Sequence, residues 1–82
     1  MDFENFKEYL LREYKMGETS ANQYVGRLKG IIKRGLYNGE STLTPSLLVA
    51  LKKEYSENSI KNYKPTIERY IKFREKMGEL QW

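Results

Sequence analysis

The sequence predicts an all-α fold, a compact bundle of four helices, on three observations. Apolar residues recur at spacings of three and four, which is the period of an amphipathic helix. Glycine or proline separates the apolar stretches, as turn residues do. No stretch alternates apolar and polar residues in the way that a half-buried strand does. Because the chain has 82 residues, we expect it to form one domain with a small core.

Four helices are predicted, over about residues 2–16, 19–35, 44–56 and 59–77. For the first helix, Asp2 is a suitable N-cap and Gly17 a suitable end. For the second, Thr19 or Ser20 is expected to cap the first turn. The apolar stripes of these two helices consist of Phe3, Phe6, Leu10 and Tyr14, and of Tyr24, Leu28, Ile31 and Ile32.

The third helix is predicted to start at Thr44, because the following Pro45 suits the first helical position. Asn58 or Ser59 is expected to begin the fourth. Pro65 lies six positions into that helix, where it removes a backbone donor, and this predicts a kink or a later start. The stripes are Leu47, Leu48, Leu51 and Tyr55, and Ile60, Tyr63, Ile67, Tyr70 and Ile71.

The composition argues against several classes of function. The chain contains no cysteine and no histidine, so disulfides, thiol or histidine catalysis and most transition-metal sites have no ligands or nucleophiles. Neither a metal nor a cofactor is expected. No apolar run approaches the roughly 20 residues that span a bilayer, and the N-terminal stretch does not resemble a signal peptide. We therefore expect a cytoplasmic protein that has no membrane partner.

The positive charge is concentrated in the second and fourth predicted helices. Residues 19–39 hold four Lys or Arg and no acid, and residues 58–78 hold six against two acids. The segments 1–18 and 40–57 are slightly acidic. The net charge of +4 says little alone, but this asymmetry indicates that two helices share one surface for an acidic partner.

Basic and amide side chains occupy the polar halves of these two helices on a helical wheel. On the second helix they are Asn22, Gln23, Arg27, Lys29, Lys33 and Arg34, and on the fourth they are Lys61, Asn62, Arg69, Lys72 and Lys76. Lys and Arg neutralise phosphates, whereas Asn and Gln can bond base edges. Gly26 and Gly30 lie on the same polar side, which indicates either a close helix crossing, the interpretation we favour, or the approach of a sugar–phosphate backbone.

The seven tyrosines are mostly assigned to the core. Tyr9 and Tyr37 fall off the apolar stripes, so they are the two that we expect to be able to touch a ligand. No tyrosine has a histidine to assist nucleophilic attack, and carboxylate pairs such as Glu54 and Glu57 have the spacing of a helix surface. No catalytic residue is predicted.

Four short motifs follow one another along the chain. The first helix carries F-x-x-Y-L from Phe6 to Leu10, and the second carries T-S-x-x-x-Y-x-x-x-L from Thr19 to Leu28. The third carries T-L-T-P-S-L-L from Thr42, and the fourth N-S-I-K-N-Y from Asn58. The order of these motifs resembles the N-terminal core-binding domain of the tyrosine recombinase, or phage integrase, family. The resemblance covers nearly the whole chain, and Pro65 departs from the family's uninterrupted fourth helix.

The resemblance implies a SAM-like orthogonal four-helix bundle that holds one face of duplex DNA at a recombination core site. A downstream catalytic domain of the same protein, absent from residues 1–82, would grip the other face and carry the chemistry of integration or excision. We expect the domain alone to be a monomer, the intact protein to form a tetramer on DNA, and its setting to be bacterial and DNA-associated. The DNA contacts would fall on Thr19, Ser20, Asn22, Gln23 and Arg27, and on Ser59, Lys61, Asn62, Lys64 and Arg69.

Two other functions stay open at this point. A helical protein-interaction module would present the same basic face to an acidic protein. A helix-turn-helix regulator is the third interpretation, but the connection around residues 35–44 is longer than the tight turn of that motif. Direct duplex binding with a steep salt dependence would separate the first function from the second.

Overall fold

Four helices make up the structure, a computed structural model that describes residues 3–77. They are α1 (Phe3–Glu13), α2 (Glu18–Lys33), α3 (Pro45–Glu54) and α4 (Glu57–Lys76). No strand occurs among the described residues. The predicted all-α, four-helix fold is therefore confirmed.

The starts of α2 and α4 differ from the sequence prediction. The N-cap of α2 is Gly17, which provides no side-chain cap, and Thr19 lies inside the first turn beside Ser20. The N-cap of α4 is Ser56, whose hydroxyl accepts the backbone N–H of Ser59 at 3.4 Å. Both predicted caps are therefore wrong by two or three residues. At α4 several Ser and Asn residues are equally able to cap, and the sequence pattern does not rank them; at α2 the helix starts without a side-chain cap.

The first two helices also end earlier than predicted. α1 stops at Glu13, and Lys15 adopts a left-handed conformation with φ of 50°, which a right-handed helix cannot continue. α2 stops at Lys33, and Gly35 follows with φ of 72°. The N–H of Leu36 then bonds the Ile31 carbonyl, as in a Schellman motif that satisfies the last carbonyls. The expected cap Asp2 lies outside the described residues.

The predicted cap of α3 is confirmed. The Thr44 hydroxyl accepts the Leu47 N–H at 3.2 Å, and Pro45 occupies the first helical position. Thr44→Ala should lower the free energy of unfolding by about 1 kcal/mol, because that N–H loses its partner. Urea denaturation measures the change, with the exposed Ser46→Ala in the same turn as the matched control. Equal effects of the two substitutions would contradict the capping role.

Pro65 neither delays nor ends α4, so the prediction of a later start is wrong. The helix is continuous from Glu57 to Lys76 with Pro65 inside it. One turn is altered, since proline has no N–H to donate. The next residue, Thr66, is fully buried, and its hydroxyl donates to the Asn62 carbonyl at 2.8 Å.

The core is centred on Phe6, which packs edge-on against Tyr70 with ring centroids 5.1 Å apart and lies 5.6 Å from the Phe73 ring. Tyr9 and Tyr37 are also buried, so the expectation that these two could touch a ligand is wrong. The Tyr37 hydroxyl donates to the Glu40 carbonyl and accepts from Arg74. The full set of buried hydrophobic residues is Phe6, Tyr9, Leu10, Ala21, Leu28, Ile31, Tyr37, Leu47, Leu51, Ile67, Tyr70, Ile71 and Phe73.

Candidate nucleic-acid interface

Helices α2 and α4 pack side by side in opposite directions. Near the start of α2, Arg69 donates to the Tyr24 hydroxyl at 2.8 Å. Just past the end of α2, the Arg34 guanidinium lies 5.6 Å from the Tyr55 ring, which stacks on Tyr63 at 4.0 Å. Because Tyr63 is near the start of α4, the two helices are antiparallel. We call their boundary the α2–α4 seam, defined by Tyr24, Arg27 and Arg69, each of which is half-buried.

The seam brings basic residues of both helices onto one aromatic ring. The guanidinium of Arg27 lies 5.2 Å from the centroid of Tyr24, and that of Arg69 lies 4.9 Å from it. Arg69 also lies 4.2 Å from the ring of Tyr14, which follows α1. Rings attract cations through their faces, so the three contacts hold two positive charges close together at the surface.

Most of the predicted contact residues are exposed. On α2 these are Thr19, Ser20, Asn22, Gln23 and Lys33, with Arg34 just after it, and on α4 they are Lys61, Asn62, Lys64 and Lys72. These residues do not all lie on one face. Lys29 lies 5.2 Å from the Phe3 ring, on the α1 side of α2. Ser59 belongs to the N-terminal cap of α4. Lys64 and Lys72 border the segment 41–43 across a shallow groove.

The surface over Gly26 of α2 is open. A Cβ on Gly26 would meet nothing within 4 Å, and one on Gly30 would meet only the Arg34 side chain at 3.1 Å. The interpretation of a close helix crossing is therefore wrong. The backbone of α2 is accessible at Gly26, whereas at Gly30 the Arg34 side chain covers it and donates to the Gly30 carbonyl at 3.3 Å.

A groove runs beside the seam, between Tyr14 and the outer side of α4. It encloses about 320 Å³ and is lined by Tyr14, Pro65, Glu68, Arg69 and Lys72. Arg69 links the groove to the seam, because its guanidinium contacts both Tyr14 and Tyr24. The groove is an open surface feature that combines an aromatic wall with two cations and one carboxylate.

The pKa values of Tyr9, Glu13 and Tyr55 are shifted by their surroundings. Burial, together with the neighbouring Tyr14, raises the pKa of Tyr9 to about 12, and burial also raises the pKa of Tyr55. The bond from Lys76 lowers the pKa of the Glu13 carboxyl. Both tyrosine shifts favour the neutral phenol. Within residues 3–77 no group of three or more acidic, histidine or cysteine side chains is placed to hold a metal.

Comparison with known proteins does not identify a relative of this chain. No family model, no curated protein and no solved structure matches the chain. No helix within the described part of the chain is both long and apolar enough to cross a membrane.

Proposed function

We propose that this chain binds duplex DNA, with the α2–α4 seam and the exposed basic residues around it facing the phosphate backbone. The observation that carries the proposal is the convergence of Arg27 and Arg69 on Tyr24. These arginines come from the two segments of the sequence that hold its positive charge. Lysine and arginine bind duplex DNA mainly by replacing the counterions of its phosphates.

The spacing of charges along α2 suits a polyanion. Arg27 and Arg34 are seven residues apart, so they lie on nearly the same side of the helix and about 10 Å apart along its axis. Lys33 is also exposed, about a third of a turn around the helix from these two arginines. Asn22 and Gln23, exposed in the first half of α2, would reach base edges or phosphates. Gly26 adds no side chain, so it leaves room for the backbone of a strand.

The resemblance in sequence supports a more specific version of this proposal. In that version the chain is the core-binding domain of a tyrosine recombinase and holds one face of a recombination site. A catalytic domain of the same protein would hold the other face and supply the reaction. The tetramer on DNA and the bacterial, DNA-associated setting belong to this version too.

An NMR titration of the labelled protein with a short duplex tests the proposal. We expect amide shifts in residues 19–34 and 58–76 and at Tyr14, which contacts Arg69, with α1 and α3 unaffected. Affinity should fall steeply with salt, by a slope of about 0.9 in log–log form for each phosphate neutralised. Without base readout, the dissociation constant should lie in the range of about 10⁻⁴ to 10⁻⁶ M at physiological salt.

Two results would contradict the proposal. Shifts that fall mainly on residues 3–16 and 45–55 would place the DNA on the wrong side of the molecule. If no amide shifts at millimolar duplex, the chain does not bind DNA. The protein-interaction function, in which an acidic protein contacts the same basic residues, would then be favoured.

A further inference from the structure

Arg69 is held more firmly than an ordinary surface arginine. Its Nη1 donates to the Tyr24 hydroxyl at 2.8 Å, and its guanidinium lies over the rings of Tyr14 and Tyr24 at 4.2 and 4.9 Å. A long flexible side chain normally loses rotamer freedom when it binds a ligand. Here the fold has already fixed the side chain, so little of that loss remains for a binding step.

The held guanidinium still has donors for a ligand. Arginine carries five N–H donors in a planar fork. Among the described residues, the bond to Tyr24 is the one hydrogen bond that the Arg69 side chain makes. Arg69 lines the groove beside Tyr14, and Lys72, one turn further along α4, lines it as well. A planar fork with a nearby ammonium is suited to a tetrahedral oxyanion, because the fork donates two parallel bonds and the ammonium adds charge.

Glu68 also lines the groove, and its carboxylate repels an anion bound there. It is four residues from both Lys64 and Lys72, the spacing at which helix side chains are neighbours. These lysines offset its charge, and the five lining residues still sum to +1, since Arg69 and Lys72 face a single carboxylate. Glu68 therefore weakens anion binding without preventing it.

We propose that the groove lined by Tyr14, Pro65, Glu68, Arg69 and Lys72 is a phosphate-binding site in which Arg69 is the principal donor. Tyr24 is a positioning residue that holds the guanidinium through its hydroxyl. The inference rests on the proposed function for its source of ligand, since a phosphodiester of the DNA backbone would fill the groove. A free phosphate has the same chemistry, so the test uses both.

The test follows the Nε–Hε signal of Arg69 by NMR while inorganic phosphate is added, with chloride at matched ionic strength as the comparison. We expect saturable shifts with phosphate and none with chloride. Arg69→Gln should weaken phosphate binding, followed through the amides of residues 65–72, by about tenfold or more, because a charge-assisted pair is lost. Tyr24→Phe should weaken it less, by about threefold, since only the orientation of the fork is lost.

The opposite effect is expected at Glu68. Glu68→Gln removes the repelling carboxylate and should strengthen phosphate binding by about threefold. Glu54→Gln on α3 makes the same change of charge on another exposed helix surface and should leave binding unchanged. If Arg69 had only a structural role, Glu68→Gln would not strengthen phosphate binding. Comparing Glu68→Gln with Glu54→Gln therefore distinguishes a binding groove from a contact that only stabilises the fold.

Duplex titrations of the same variants distinguish the two sources of phosphate. If duplex moves the Arg69 Nε–Hε signal and Glu68→Gln tightens duplex binding, the groove takes a backbone phosphate. If duplex shifts α2 and α4 but neither duplex nor phosphate moves the Arg69 signal, the groove inference is wrong and the proposed function stands. If phosphate binds in the groove but duplex does not bind, the phosphate site stands and the proposed function fails.

Discussion

Replacing Phe6 by alanine should remove a large share of the protein's stability. Phe6 is fully buried and contacts the rings of Tyr70 and Phe73. A phenylalanine-to-alanine change in a core costs about 3–5 kcal/mol, from the lost transfer energy and the cavity. A domain of this size is expected to have a total stability of about 4–12 kcal/mol at 0.05–0.15 kcal/mol per residue, so the loss removes a large share of it.

Urea denaturation followed by far-UV circular dichroism measures this effect. The matched control is Val49→Ala on α3, because Val49 is 52% exposed and its side chain fills no core position. We expect the control to change the free energy of unfolding by less than about 0.5 kcal/mol. A loss below about 1 kcal/mol for Phe6→Ala would show that the ring is not packed as described.

The number and approximate position of the helices could be predicted because they depend on local signals. Each apolar stripe reports one helix face, and Thr44 was identified as a cap because Pro45 follows it. At Gly17 and Ser56 the local signal was ambiguous, since several cap-forming residues stand within three positions of each other. The error in both cases is a matter of a few residues and leaves the core stripe unchanged.

Burial outside a helical stripe could not be predicted in this way. Tyr37 lies in the connection between α2 and α3, where no periodicity applies, and its burial depends on Arg74 and Tyr70, which are more than 30 residues later. Tyr9 precedes Leu10 on a buried side of α1 that is wider than the stripe. Both are tertiary effects that a single sequence does not report.

The candidate site likewise has features that the sequence predicts and features that depend on tertiary packing. The charge count identified α2 and α4 as the basic helices, and a count needs no contacts. It did not show that Arg27 and Arg69 meet at Tyr24, or that Tyr14, assigned only to a core stripe, also stacks on Arg69. It also placed Lys29 with the others, although Lys29 sits over Phe3. Which charges share a surface is decided by how the helices pack.

Reversing the charge of Arg27 and Lys33 should nearly abolish duplex binding. At each position an attraction of about 1 kcal/mol in water is replaced by a repulsion of similar size, which for two residues corresponds to a loss of affinity of several hundredfold to about a thousandfold. Fluorescence anisotropy with a labelled duplex at low salt measures the change. The fold should survive, since Lys33 is exposed and Arg27 contributes a cation–π contact of about 0.5–1 kcal/mol.

The matched control is Lys52→Glu with Lys53→Glu on α3, both exposed. Each double variant lowers the net charge by the same amount, from +4 to zero, because two cations become two anions. Long-range attraction therefore falls equally in both, and any difference in affinity reports where the DNA lies. We expect the α3 variant to lose only a few-fold in affinity, because the exposed charges of α3 act through screening solvent. Equal losses in the two variants would mean that binding follows net charge alone and that α2 holds no specific position on the duplex.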